Sequence, residues 1–211
     1  MKPKKRILSG KKIAVLVETE YIPDEINKYK KFFGNLGAEI ELLTYLWGKQ
    51  ERTLVSDVTE PGKMPETLTV NKDVADANPN DYAIVLCAAN YVACRLREIP
   101  PMGNLGSVEE LRSPSAVRFM ASAMMNPFIV KGFLCHALWL MTPCPELLKG
   151  RKVICHTVVL SDVLNAGAVF VPDESHVYAD RDVVTGRSAA DLDIYCNKII
   201  KTYEVIKNEN R

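Results

Sequence analysis

The chain has 211 residues and a mass of 23.6 kDa, a size typical of one domain. Its 27 Lys and Arg nearly balance its 26 Asp and Glu, which gives no support to a nucleic-acid partner. No run approaches the roughly 20 apolar residues of a membrane-spanning helix, so we expect no membrane partner. We interpret residues 1–10 as a basic, solvated tail and residues 11–211 as a single domain.

Six cysteines are spread along the chain without a Cys-x-x-Cys pair, and the three histidines do not stand at zinc-finger spacing from them. We therefore expect no metal and no diffusible cofactor. Because no apolar run of signal-peptide length follows the basic start, the sequence predicts reduced thiols and a cytoplasmic location. Most of these cysteines are expected to be small buried side chains.

The first elements predict a strand-helix-strand unit with a parallel pairing. Residues 12–17 form a short apolar run, residues 24–35 place apolar side chains at helical spacing, and residues 39–43 alternate as a strand. Two parallel strands joined through a helix require a right-handed crossover. The chain therefore opens as an α/β domain.

The later elements continue this alternation. Further strands are predicted at 82–87, 128–134, 151–155 and 169–171, with an edge strand at 67–70 and a hairpin over 177–185. Helices are predicted at 115–125, 137–141, 161–165 and 189–206. A loop insertion is predicted at about 98–114. The alternation predicts a doubly wound, mainly parallel sheet sandwiched by helices.

The most informative segment is the junction at Cys135, where an apolar strand ends abruptly and a helix follows. A nucleophile on such a turn projects from the carboxyl edge of the sheet, where open α/β folds place their sites. The helix N-terminus is expected to favour the thiolate over the thiol, and His136 supplies an acid or base. The alternative is a buried core cysteine followed by a helix-capping histidine.

Several segments, in order, resemble the DJ-1/PfpI superfamily, which is related to class I glutamine amidotransferase domains. They are the acidic loop Glu18-Thr-Glu-Tyr-Ile-Pro-Asp-Glu25, the elbow Phe133-Leu-Cys-His-Ala137, and the segments Leu147-Leu-Lys-Gly-Arg-Lys-Val153, Asp162-Val-Leu-Asn-Ala-Gly-Ala168 and Val183-Val-Thr-Gly-Arg-Ser-Ala-Ala-Asp-Leu192. The collinear set is far more specific than any one segment. The resemblance implies a flavodoxin-like, class I glutamine amidotransferase-like fold.

The resemblance also implies three catalytic residues. Cys135 matches the family nucleophile or redox-sensitive thiol, Glu25 the acid that hydrogen-bonds it, and His136 the base of the protease-like branch. An ionised Glu25 would repel a thiolate, so we expect it to be protonated and donating. The alternatives are a first-turn helix acid for Glu25 and a solvated or interface histidine for His136.

Ala88 and Ala89, followed by Asn90, stand where the family has paired glycines whose backbone N–H groups hold an oxyanion. Alanine keeps these donors provided that the turn needs no positive φ. We expect Ala89 to donate together with His136. His156 follows a predicted strand and is a second candidate beside the pocket, with a structural histidine as the alternative.

The resemblance implies a cysteine-dependent hydrolase or lyase that acts on a small carbonyl or amide compound. The activity would resemble that of a glyoxalase or deglycase, or that of a peptidase or amidase. The alternatives are a non-enzymatic, stress-response redox sensor or chaperone whose Cys135 is oxidised, and a pseudo-enzyme binding module. Family members commonly assemble, so we expect a homo-oligomer. The residues do not choose among these substrates.

Overall fold

This computed structural model describes residues 6–58, 61–98, 106–172 and 176–209. The first five residues of the predicted tail and residues 99–105 of the predicted loop insertion lie outside this part of the chain. Leu8, also placed in the tail by the sequence, is buried in the core, and its N–H donates to the carbonyl of Leu36 at 3.0 Å. The domain therefore begins before residue 11.

Ten strands and six α-helices are described, and both are numbered in chain order. The strands are β1 Lys12–Leu16, β2 Glu39–Leu43, β3 Arg52–Val55, β4 Thr67–Val70, β5 Ile84–Cys87, β6 Val130–Leu134, β7 Lys152–Val153, β8 Val169–Phe170, β9 Val177–Asp180 and β10 Val183–Gly186. The helices are α1 Pro23–Asn35, α2 Val92–Arg95, α3 Ser115–Met125, α4 Pro145–Leu148, α5 Thr157–Asn165 and α6 Leu192–Glu209.

Six strands form the central sheet in the order β2-β1-β5-β6-β10-β9. All neighbours in it are parallel except β9, which pairs antiparallel with β10. β5 is apolar and fully buried because both of its sheet faces are covered. The remaining strands form two small pairs, β3 with β4 and β7 with β8. This confirms the predicted α/β fold with a mainly parallel sheet.

The central sheet passes very close to α6 at Gly132 of β6. A Cβ atom at this position would lie 2.4 Å from the hydroxyl of Tyr195 and 2.5 Å from a methyl of Leu86. Tyr195 belongs to α6 and also packs against Tyr29 of α1, with ring centroids 6.3 Å apart. The absence of a side chain at Gly132 therefore lets α6 lie directly on the strand that leads to Cys135.

Some predicted elements differ in length or type. Residues Ala137–Met141 form a 3₁₀-helix rather than an α-helix, because Pro143 and Pro145 leave room for little more than one turn. α5 begins four residues earlier than predicted, directly after His156. No helix in the four described stretches is long and apolar enough to cross a membrane. All six cysteines are free thiols.

Candidate active site

Cys135 occupies a strained turn at the carboxyl edge of the sheet. Its φ is 58°, in the left-handed region that residues with a Cβ rarely adopt. Two backbone hydrogen bonds hold the turn: the Cys135 N–H donates to Gly186 at 2.9 Å, and its carbonyl accepts from His156 at 3.2 Å. The residue is half-buried. β6 and β10 therefore hold the backbone of Cys135 in a sharp turn at a strand end, which is the backbone geometry of a nucleophile elbow.

Glu25 is completely buried in the first turn of α1. Its Oε1 accepts a hydrogen bond from the hydroxyl of Tyr29 at 2.7 Å, and the N–H of Ala89 bridges Oε1 and Oε2 at 3.1 and 2.9 Å. Burial raises the pKa of Glu25 to about 7, although both hydrogen bonds oppose the shift. The carboxyl group is therefore poised to gain or lose a proton near neutral pH.

The prediction that the turn favours the thiolate is wrong for this structure. Burial raises the pKa of Cys135 to about 11, and the charge of Glu25 acts in the same direction. The backbone N–H groups of His136 and Asn90 favour the thiolate, but they do not outweigh burial. The following 3₁₀-helix is only five residues long, so it adds little dipole. Cys135 is a thiol at neutral pH until a base removes its proton.

The loop after β5 differs from the predicted oxyanion hole. The N–H of Ala88 donates to Leu16 within the sheet at 2.9 Å, and the N–H of Ala89 is used by Glu25. Neither amide is therefore free for an oxyanion. Asn90 instead turns its N–H toward the sulfur of Cys135.

The two alanines are tolerated in this loop because the positive φ, 64°, falls on Asn90, a residue type that accepts the left-handed region. The side-chain amide of Asn90 donates to the carbonyl of Glu20 and to the carboxylate of Asp57, at 2.9 and 2.8 Å. These bonds fix the loop that carries the amide facing the sulfur.

His136 lies in a cluster of aromatic rings. Its ring centroid is 5.6 Å from that of Tyr91, 5.3 Å from Trp139 and 4.9 Å from His156. Both of its ring nitrogens are buried and have no hydrogen-bond partner among the described residues. Burial and the neighbouring His156 lower its pKa, while the backbone of Asn90 acts in the opposite direction. His136 is therefore a neutral imidazole that packs among the rings of Tyr91, Trp139 and His156.

His156 caps α5. Its Nδ1 accepts a hydrogen bond from the N–H of Val158 at 3.2 Å, and its ring meets His136 edge to face. The structural alternative for His156 is thus realised, although the residue also borders the site. Its capping role and its contact with His136 can be separated by mutation.

We expect His156→Ala to lower the free energy of unfolding by about 1 kcal/mol, because α5 loses its cap. His156→Asn should retain most of this stability, since asparagine is a good capping residue. Urea denaturation of the three proteins measures the difference. Equal losses in both variants would show that the cap contributes nothing.

Sequence reasoning did not identify Tyr29 and Tyr91 as neighbours of the candidate residues, whereas it expected Trp139 near the entrance of the pocket. Tyr29 lies four residues after Glu25 on a helix, and this spacing brings two side chains together. Tyr91 follows Asn90 directly, and Trp139 lies one helical turn after His136. Of the two tyrosines, only Tyr29 could have been recognised in advance. In the described part of the chain, no group of three His, Cys, Asp or Glu side chains is arranged to hold a metal ion.

No protein-family model matches the chain. An uncharacterized protein of Staphylococcus epidermidis is 29% identical over 195 residues, which cover 92% of this chain and 99% of the relative. An uncharacterized protein of Staphylococcus aureus is 29% identical over 191 residues, which cover 90% of this chain and 97% of the relative. Each match covers nearly the full length of both proteins, and the names of these relatives indicate no activity.

Solved structures resemble the fold along nearly the whole chain. Schizosaccharomyces pombe DJ-1 gives a TM-score of 0.66 at 12% identity, covering 94% of this chain and 97% of that one. A ThiJ/PfpI domain protein of Brachyspira murdochii gives a TM-score of 0.67 at 12% identity, and the match covers 93% of this chain and 98% of that one.

A two-domain protein of Anabaena variabilis with DJ-1/ThiJ/PfpI-like and ferritin-like domains gives a TM-score of 0.70 at 19% identity. The match covers 90% of this chain but only 47% of that protein, so the chain spans about half of its length. The likeness confirms, at the level of the fold, the resemblance that the motifs predicted: this chain has the fold of the DJ-1/ThiJ/PfpI superfamily.

Proposed function

We propose that this chain is a cysteine-dependent hydrolase or lyase that acts on a small carbonyl or amide compound. The proposal rests chiefly on the pairing of a half-buried thiol, held on a left-handed turn, with a fully buried carboxyl group whose pKa is about 7. Such pairs of perturbed titratable groups mark sites of proton transfer. The charge of Glu25 acts on Cys135. The expected hydrogen bond between these two side chains is not among those of the described residues, where the Glu25 carboxyl group accepts from Tyr29 and Ala89.

In the proposed reaction the sulfur of Cys135 attacks the carbonyl carbon. A carbon–sulfur bond forms while the carbonyl π bond breaks, and the thiol proton passes to the carboxylate of Glu25. Glu25 then returns this proton to the new oxygen, which gives a hemithioacetal from an aldehyde. From an amide, the adduct instead expels an amine that takes the proton, and water hydrolyses the resulting thioester.

The developing oxyanion is assigned to the backbone N–H groups of Asn90 and His136, because both already face the sulfur. The imidazole of His136 is neutral and can accept a proton from a bound substrate or water. Its ring packs against Tyr91, which is 46% exposed.

The thiol chemistry favours an enzyme over a peroxide sensor. Oxidation to sulfenic acid proceeds through the thiolate, which is scarce at neutral pH when the pKa is about 11. A substrate that binds next to Glu25 avoids this limit, because the proton leaves as the carbon–sulfur bond forms. The raised pKa therefore means that the proposed attack by Cys135 needs Glu25 to accept the thiol proton.

The test compares the wild-type protein with Cys135→Ser for consumption of methylglyoxal and for cleavage of a fluorogenic amide. We expect the wild type to turn over at least one substrate and Cys135→Ser to fall to the uncatalysed rate. Cys94→Ser makes the same chemical change at an exposed cysteine and should keep the activity. Turnover by Cys135→Ser, or none by the wild type on either substrate, contradicts the proposal.

A further inference from the structure

We infer that Tyr29 is a positioning residue whose hydrogen bond to Oε1 of Glu25 directs the proton to Oε2 and supports the ionised carboxylate. This inference rests on the proposed function, because it concerns the acid that acts on Cys135. Tyr29 itself is fully buried and is assigned no contact with the substrate.

The hydrogen bonds around Glu25 are unequal. Oε1 accepts from the hydroxyl of Tyr29 at 2.7 Å and from the N–H of Ala89 at 3.1 Å, whereas Oε2 accepts only from Ala89, at 2.9 Å. In a neutral carboxyl group, the oxygen that receives more hydrogen bonds acts as the carbonyl oxygen. The proton of Glu25 therefore resides on Oε2, and the hydroxyl of Tyr29 is what distinguishes the two oxygens.

The surroundings of Glu25 hold few other charges. The titratable groups that its charge affects are Tyr29 on its own helix, Tyr195 and Cys196 on α6, Cys87 on β5 and Cys135 at the elbow. Burial raises the pKa of each of these groups, so they are neutral at physiological pH. Lys28, the cation that acts on Cys196, forms an ion pair with Asp193. The bonds from Tyr29 and Ala89 are thus the interactions that oppose burial of the Glu25 charge.

Removing the hydroxyl of Tyr29 should therefore keep Glu25 protonated to higher pH. A hydrogen bond to an ionised group supports the charged form, so its loss moves the titration upward by about one pH unit. This shift is measurable through Cys135, since an ionised Glu25 opposes formation of its thiolate. The alkylation rate of Cys135 should rise with pH, bend where Glu25 ionises, and then rise again.

The experiment measures alkylation of Cys135 by iodoacetamide between pH 5 and 10, with the Cys135 peptide quantified by mass spectrometry. We expect a bend near pH 7 in the wild type and a bend about one unit higher in Tyr29→Phe. Tyr82→Phe is the matched control, because the hydroxyl of Tyr82 also donates to a buried glutamate, Glu41, at 2.7 Å. Tyr82→Phe should lower the free energy of unfolding about as much as Tyr29→Phe does, and its alkylation profile should bend at the same pH as that of the wild type.

Glu25→Gln separates the two proposals. If the wild type bends and Glu25→Gln does not, Glu25 is the group that acts on Cys135. If the bend in the alkylation profile of Tyr29→Phe then lies at the same pH as in the wild type, the role of Tyr29 is overturned and the role of Glu25 is kept. Identical profiles for the wild type and Glu25→Gln overturn both this inference and the part of Glu25 in the proposed function.

Discussion

Replacing Glu25 with glutamine is expected to remove a pH dependence of about 2 to 3 kcal/mol from the free energy of unfolding. In the folded protein Glu25 holds its proton until about pH 7, whereas an unfolded glutamate releases it near pH 4.5. Between these values the folded state binds more protons than the unfolded state, so stability falls as the pH rises. This contribution is fully present below pH 4.5 and is lost as the pH rises through 7.

Urea denaturation at pH 5 and pH 8 measures the effect in both proteins. Between these pH values the free energy of unfolding of the wild type should fall by about 2 to 3 kcal/mol more than that of Glu25→Gln, since every other titratable group is common to both. The comparison does not depend on any absolute cost of the substitution. An equal change in the two proteins would mean that Glu25 titrates near its ordinary value, which would remove the basis for its proposed role as an acid at neutral pH.

Gly132→Ala is expected to destabilise the protein by about 3 kcal/mol. The new methyl group would lie 2.4 Å from the hydroxyl of Tyr195 and 2.5 Å from Leu86, so a central strand and α6 must separate. Because Gly132 lies three residues before Cys135, the same movement should disturb the elbow and lower the proposed activity. Thermal or chemical denaturation measures the loss of stability.

Tyr195→Phe provides a partial rescue of this variant. The hydroxyl of Tyr195 is buried and has no hydrogen-bond partner among the described residues, so its removal alone should cost no stability. In the double variant Gly132→Ala/Tyr195→Phe, the hydroxyl oxygen 2.4 Å from the new Cβ atom is absent. The nearest remaining atom of the ring at position 195 is then 3.3 Å from that Cβ. We expect a coupling energy of about 1 kcal/mol in the double-mutant cycle. Simple additivity would show that this contact does not limit the packing.

The fold was largely predictable because its elements depend on hydrophobic patterns. The apolar runs at β1 and β5 and the helical spacing at α3 appear directly in the sequence, and all three elements are present. The four-residue helix α2 was not predicted, because one turn shows no periodicity. The pairing of β3 with β4 depends on contacts between distant residues, so only β4 was foreseen.

The site was less predictable because its chemistry depends on backbone hydrogen bonds and burial. The position of Cys135 at a strand end followed from the pattern. The use of the Ala89 amide by Glu25 did not, since residue type says nothing about where an N–H donates. The direction of the Cys135 pKa shift was also missed, because the benefit of a helix N-terminus was expected without the opposing cost of burial.

The left-handed backbone at Cys135 has a consequence for how this position would evolve. Glycine adopts such a conformation without a steric penalty, so at residue 135 it would suit the bend better than cysteine does. Selection for thermal resistance alone would therefore favour loss of the sulfur, and selection for the proposed thiol chemistry would retain it. A library screened for heat tolerance should enrich glycine at this position, whereas one screened for catalysis should exclude it.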